Sequence, residues 1–163
     1  MQDVNVLVVF QSPVGSKTSG STERLALAAG VGAVQGRANI RLRRIPDSVD
    51  EPTNPEYIAP RESDALWADA ILAGMPAGPC SLSTGFERYF DSLKALRDRG
   101  ELQAKIGASF THGFAADALI AAMHRAGLTT EPETLDPDAL KAARLQGRRV
   151  AEAARALKSP SSV

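Results

Sequence analysis

Residues 4 to 10 read Val-Asn-Val-Leu-Val-Val-Phe, an almost unbroken β-branched and apolar run of strand length. With no polar side to turn to water, such a run fits a strand covered on both faces. A strand of that kind needs helices above and below its sheet, which restricts the chain to α/β architectures. A polar, glycine-bearing loop follows at 11 to 22. Residues 23 to 34 (Glu-Arg-Leu-Ala-Leu-Ala-Ala-Gly-Val-Gly-Ala-Val) then place apolar side chains at helical spacing.

The same alternation continues along the chain. Residues 39 to 45 alternate Ile40, Leu42 and Ile45 with arginines and predict a half-exposed second strand near a sheet edge, ending at Pro46. Arg41, Arg43 and Arg44 are expected on its solvated face. Residues 46 to 61 are rich in proline and acids and predict a loop, with a short helix over 61 to 67. Residues 68 to 74 form the third strand, 75 to 82 a Pro/Gly turn, and 83 to 96 a helix burying Phe86, Phe90, Leu93 and Leu96. A fourth strand covers 105 to 111, a loop 112 to 114, a helix 115 to 125 and a short fifth strand 128 to 130. Asp136 and Pro137 open a last helix through Leu157, with Leu140, Ala143, Leu145, Val150 and Leu157 available for its buried side. This predicts one domain over 1 to 158, a frayed tail at 159 to 163, and a doubly wound parallel sheet.

At 163 residues the chain is long enough for one substantial core. Its 19 basic and 19 acidic residues cancel, so the overall balance offers no long-range pull towards nucleic acid or anionic lipid. A nucleic-acid partner is not expected. No apolar run approaches the roughly 20 residues of a membrane span, and the N-terminal residues lack an export signal, which predicts a cytoplasmic protein. A single cysteine, Cys80, excludes an internal disulfide and a multi-cysteine metal site. His112 and His124 lack a third ligand, so no metal is expected, and His124 is expected on the surface.

In a sheet of this type ligands bind beyond the carboxyl ends of the strands, which directs attention to the loops at 11 to 22, 75 to 83 and 111 to 115. The first carries Ser12, Gly15, Ser16, Lys17, Thr18, Ser19, Gly20, Ser21 and Thr22 ahead of a helix. Hydroxyls and free amides there suit a phosphate, although neither a Walker A nor a G-x-G-x-x-G pattern is present. The alternative is a solvated loop whose hydroxyls cap the helix. Cys80 admits a nucleophile reading beside His112, against that of a small buried thiol. His112 itself is a candidate polar contact for a ligand or a structural histidine. Arg144, Arg148, Arg149 and Arg155 are expected to face water.

Several segments together resemble the flavodoxin-like NAD(P)H:quinone oxidoreductases of the tryptophan-repressor-binding-protein type. Residues 68 to 93 are similar to that family's third strand, turn and following helix, with Pro76, Ser83 and Asp91 on its pattern. Residues 143 to 151 (Ala-Arg-Leu-Gln-Gly-Arg-Arg-Val-Ala) resemble its last helix. Ser19-Gly20-Ser21-Thr22 stands in place of a flavodoxin phosphate loop, or alternatively Ser12 and Gly15 match the family's Ser-x-x-Gly. The resemblance implies a flavodoxin-like five-stranded parallel sheet in the order 2-1-3-4-5 with helices on both faces. It further implies FMN as cofactor, NAD(P)H as co-substrate, a quinone as acceptor and a homo-oligomer, dimer or tetramer. Carried over residue by residue, cofactor contacts fall on Ser12, Ser19, Gly20, Ser21, Thr22, Pro76, Ala77, Gly78, Pro79, Thr111, His112, Gly113 and Phe114. His112 is the candidate catalytic residue, placed to hydrogen-bond the flavin edge or a bound quinone, and Phe110 or Phe114 would stack on the flavin.

The chain departs from the family where the flavin ring would lie. Ala77-Gly78-Pro79-Cys80-Ser81 replaces a turn that carries an arginine and a phenylalanine. The loop after strand four is short, Ala126 stands where the family has histidine, and the long segment after strand five is missing. These departures support a second reading: a flavodoxin-like domain that has lost FMN and serves as a binding or assembly subunit.

Overall fold

The computed structural model describes residues 3–11, 20–46, 57–76, 82–111 and 114–158; the side chains of Gly20, Ser21 and Phe114 lie outside that description. Its elements run β1 (Val4–Phe10), α1 (Gly20–Gln35), β2 (Ala38–Arg44), α2 (Glu62–Trp67), β3 (Ala70–Gly74), α3 (Thr84–Ser92), α4 (Lys94–Asp98), β4 (Ile106–Ser109), α5 (Phe114–Arg125), β5 (Thr129–Thr130) and α6 (Ala139–Lys158). The five strands are parallel in the order β2-β1-β3-β4-β5, the expected flavodoxin-like arrangement.

Strand parity divides the core. Val4, Val6, Val8 and Phe10 point to one face with Ala70, Leu72, Ile106 and Ala108, where α1 and α6 cover them. Leu7, Val9, Ile71 and Ala73 point to the other, under α3 and α5 together with Phe86, Phe90, Leu93, Leu96 and Leu119. The four α3–α4 side chains expected in the core are all buried. Burying both faces is what the apolar run in β1 requires.

On the first face, α1 and α6 touch backbone to backbone. A Cβ added to Gly147 would lie 1.9 Å from the carbonyl oxygen of Ala29. Only a residue without a side chain fits there. The neighbouring Gln146 is buried and donates to the Pro132 carbonyl at 3.0 Å, while Thr134 donates to its amide oxygen. Arg149 donates to the Thr134 hydroxyl at 3.0 Å. The Gln-Gly step that carried the family resemblance is therefore a packing device: glycine seats the helix, and glutamine ties down the segment after β5.

Several expectations are corrected. The arginines of β2 do not form a solvated face. Arg43 grips the buried carboxylate of Asp64 through two nitrogens, at 3.0 and 3.2 Å, and Arg41 adds a third bond at 3.0 Å. Arg41 also lies 4.2 Å over the Trp67 ring, and Arg44 is buried. Burial alone would raise the Asp64 pKa, but the Arg61 amide and the Arg43 and Arg41 guanidinium groups outweigh it and hold the carboxyl below its ordinary value. Arg155 is half-buried and donates to the Arg37 carbonyl at 2.9 Å.

The helix expected over 83 to 96 is two helices broken at Leu93. The last helix is capped by Asp138, whose carboxylate accepts from the Leu140 amide at 3.0 Å, rather than by Asp136. Leu140 and Leu157, expected on its buried side, are 47% and 51% exposed because Ala143, Gly147, Val150, Ala151 and Ala154 form the seam instead. His124 is exposed as expected.

Candidate functional site

The carboxyl ends of the central strands are hydrogen-bonded level with one another. Gln11 donates its amide to the Gly74 carbonyl at 3.2 Å, and Phe110 donates to Ala73 at 3.1 Å. From β1 the chain crosses to β2 on one side, whereas β3 lies on the other, so strand order reverses between β1 and β3. In open sheets of this kind ligands bind beyond the strand ends at such a reversal. α1, α3 and α5 all begin there, each following a strand in a parallel sheet. Their first-turn amides lack intrahelical acceptors and give the edge a positive electrostatic character.

Each strand end is fixed by local chemistry. At β4, the Ser109 hydroxyl accepts from the Thr111 amide at 3.0 Å, donates to the Thr111 carbonyl at 3.1 Å, and lies 3.0 Å from the Thr111 hydroxyl. Both residues are buried. At β3, Gly74 admits the Phe110 ring, whose nearest atom would lie 2.3 Å from a Cβ there. At α3, the Ser83 hydroxyl caps the helix by accepting from the Phe86 amide at 3.3 Å. Gly85 leaves room for the Gln11 amide nitrogen, 2.9 Å from the position of a Cβ.

Tyr57 joins the end of β1 to the first turn of α1. Its ring meets Phe10 edge to face at 5.0 Å, and its hydroxyl donates to Glu23 Oε1 at 2.9 Å. Ile58 accepts from the Arg44 amide at 3.1 Å and so fastens this segment to the end of β2. The Glu23 carboxylate, in the first turn of α1, is thereby engaged by a neutral donor.

Of the expected site residues, Gly20, Ser21 and Thr22 form the start of α1, three residues earlier than the spacing predicted; Thr22 is buried. Serine and threonine are tolerated there because first-turn amides have no intrahelical partner to lose. Pro76 follows β3 half-buried, Thr111 ends β4, and Phe114 opens α5. Ser12, Ser19, Ala77, Gly78, Pro79, His112 and Gly113 lie outside the described residues, as does Cys80. Phe110 is corrected as a stacking group: its ring is 1% exposed and committed to the core beneath Gly74. Arg44, Tyr57 and Ser109 were not expected at this edge. The one signal for Tyr57 is an aromatic residue in an otherwise polar, proline-rich stretch.

Among the described residues no group of three metal-ligating side chains occurs, and no helix is long and apolar enough to cross a membrane. A cleft of about 200 Å³ lies away from the strand ends between α3–α4 and α5, with Phe90, Lys94, Arg97 and Arg125 among its walls. The strand reversal has the stronger chemical claim, because helices begin at that edge of the sheet with amides that have no intrahelical acceptor. For FMN, the phosphate half fits: the first turn of α1 has amides without intrahelical acceptors, and its Glu23 carboxylate is already held by Tyr57. For the ring half, Phe10 and Phe110 are buried below the strand ends.

No family model matches the chain. The chain is 29% identical over 119 residues to an NAD(P)H dehydrogenase (quinone) of Archaeoglobus fulgidus, a match spanning 65% of this chain and 60% of that protein. It thus covers less than two thirds of the length of the curated relative. Among solved structures, a WrbA-like flavodoxin from Agrobacterium tumefaciens superposes with a TM-score of 0.66 at 23% identity, covering 95% of this chain and 99% of that one. A flavodoxin from the domain Archaea gives 0.65 at 20% identity, covering 93% and 99%. The rubredoxin oxygen:oxidoreductase of Desulfovibrio gigas gives 0.69 at 15% identity, with 96% of this chain matching 37% of that one. The fold is flavodoxin-like, and the chain resembles the flavodoxin-like quinone oxidoreductases in sequence as well as in fold.

Proposed function

We propose that the chain is an FMN-dependent NAD(P)H:quinone oxidoreductase-like flavoprotein, with FMN at the carboxyl edge of its sheet. The observation that carries this reading is that α1, α3 and α5 each follow a strand of one parallel sheet and so begin at its carboxyl edge, in a chain whose sequence matches a quinone dehydrogenase. The first turn of α1 would bind the phosphate through the amides of Gly20, Ser21 and Thr22, joined by the hydroxyls of Ser12, Ser19, Ser21 and Thr22. Backbone from Pro76, Ala77, Gly78 and Pro79, and from Thr111 to Phe114, would flank the ring. When bound, FMN carries a hydride from NAD(P)H to the acceptor. His112 would donate a hydrogen bond to the quinone oxygen, and Tyr57 keeps the Glu23 carboxylate engaged so that it does not compete with the phosphate for helix amides. The working form in this reading is a cytoplasmic homo-oligomer.

Purified protein titrated with FMN should quench flavin fluorescence saturably and then oxidise NADH or NADPH in a quinone-dependent way. His112→Ala should lower turnover while FMN affinity is retained. Folded protein that leaves FMN fluorescence unchanged at large excess would overturn the reading. One observation favours a second account, a flavodoxin-like domain without FMN that serves as a binding or assembly subunit. Among the described residues the rings at the strand ends are committed: Phe10 and Phe110 to the core, Tyr57 to Phe10. The same titration separates the two.

A further inference from the structure

We infer that the cleft between α3–α4 and α5 binds a short peptide with both ends free, a role separate from that of the proposed flavin. The cleft holds about 200 Å³. Its floor is apolar, with Phe90, Ala122 and Ala126 buried beneath it. Its rim is charged.

Those charges select the occupant. Asp91 and Lys94 neutralise each other at 3.3 Å, and Arg97 is paired with Asp98 at 3.1 Å. The lining residues left over are one acid and one base: among the described residues neither the Glu87 carboxylate nor the Arg125 guanidinium has a partner. Glu87 stands in the first turn of α3 and Arg125 in the last turn of α5, where the helix dipoles favour each sign. Neither needs an internal counter-ion, so both stay available to a ligand.

The two also belong to opposite ends of the cleft. α3 and α5 cover the same face of the sheet, and each follows a parallel strand, so both run away from its carboxyl edge. Arg97 Nη1 donates to the Arg125 carbonyl at 3.2 Å, and the Arg97 stem packs over Gly127, so α4 and the end of α5 meet there. Glu87 lies about ten residues before that meeting, roughly 15 Å at the helical rise. The two side chains supply part of this span, and roughly three extended residues bridge the rest. A peptide along the floor would thus set its ammonium at Glu87, its carboxylate at Arg125 and its side chains over Phe90. A simple anion would leave Glu87 unmatched and the floor uncovered.

The test is calorimetric titration of the full chain, with and without added FMN, using alanyl-leucyl-alanine, its N-acetyl form and its C-terminal amide. The free tripeptide should bind saturably and equally with and without FMN, so that a failed flavin titration leaves this result readable. Blocking either end should weaken binding about fivefold, the worth of one well-formed ion pair. Glu87→Gln should remove the difference between the free and N-acetyl forms, and Arg125→Gln that between the free acid and the amide. Circular dichroism and melting confirm that these exposed-site variants fold. No saturation at millimolar tripeptide overturns the proposal, as do equal binding of the three forms and end preferences that persist in the variants. So does a loss on amidation alone, since the cleft would then take any carboxylate.

Discussion

Gly32 on α1 faces the backbone of Arg144 on α6 so closely that a Cβ at Gly32 would lie 1.8 Å from the Arg144 carbonyl oxygen. The obstacle is backbone, so no side-chain rotation relieves it. Gly32→Ala is therefore expected to destabilise the protein by about 3 kcal/mol or more, at the upper end of overpacking costs. Gly30→Ala is the contrast, because its new methyl meets only the Ile40 and Leu42 side chains at 3.2 and 3.4 Å. Alanine's better helix propensity offsets that contact, so its melting temperature should stay near that of the parent. Equal melting of the two variants would contradict the close crossing.

Asp64 makes stability depend on pH. Its folded-state pKa lies below the ordinary value, so its contribution is complete above about pH 4 and is lost as pH falls through the folded value. Asp64→Asn leaves Arg41 and Arg43 without their anion and should cost about 3 kcal/mol at pH 7, with less loss on further acidification than in the parent. Urea unfolding at pH 7 and pH 3 measures both. A parallel pH dependence in parent and variant would contradict this account.

Tyr89 points the other way. Its hydroxyl is buried without a hydrogen-bond partner among the described residues. Burial, helped by the Asp64 charge, raises its pKa well above that of a free phenol. Tyr89→Phe removes an unsatisfied polar atom and should leave stability equal or about 1 kcal/mol higher. A clear loss in thermal unfolding would show that the hydroxyl is satisfied.

In the proposed flavoprotein, Tyr57 would link the fold to ligand binding. In Tyr57→Phe the Glu23 carboxylate loses its 2.9 Å donor and becomes free to compete for the first-turn amides of α1. FMN affinity should fall about fivefold, the worth of one modest hydrogen bond. Adding Glu23→Gln should restore it. Fluorescence titration of the three proteins reads the cycle.

Gln146 anchors the segment between β5 and α6. Gln146→Ala unpairs the Pro132 carbonyl and removes the acceptor of the Thr134 hydroxyl, which keeps only its bond from Arg149, and should cost about 2 kcal/mol. Hydrogen exchange should accelerate over residues 131 to 135 before it does in the sheet. Uniform acceleration would place the anchor elsewhere.

Much of the fold was legible because its determinants are local. The apolar run at Val4–Phe10, the alternation in β2 and the spacing of Phe86, Phe90, Leu93 and Leu96 each record their own burial. The arginines of β2 were misread because Asp64 lies some twenty residues further on, and no periodicity reports an ion pair across a loop. Leu140 and Leu157 were assigned inward because residue type favours burial, whereas Gly147 and its alanines bring the helices too close for leucine in the seam. At the proposed site, the sequence places Thr22 at a helix start and Thr111 at a strand end, and both lie there. Tyr57 is not legible in this way, since what places it is the meeting of β1 with a segment distant in sequence.

β2 is an edge strand, and an unguarded edge invites a neighbouring chain to extend the sheet. On this edge Ile58 already accepts from the Arg44 amide, while Arg41 and Arg43 are held by Asp64. An incoming strand would have to displace that segment and strip two arginines from a buried carboxylate before forming its first bonds. The cluster that fastens α2 thus also protects the protein from sheet-to-sheet polymerisation, and its loss would show in slow aggregation as well as in a lower melting point.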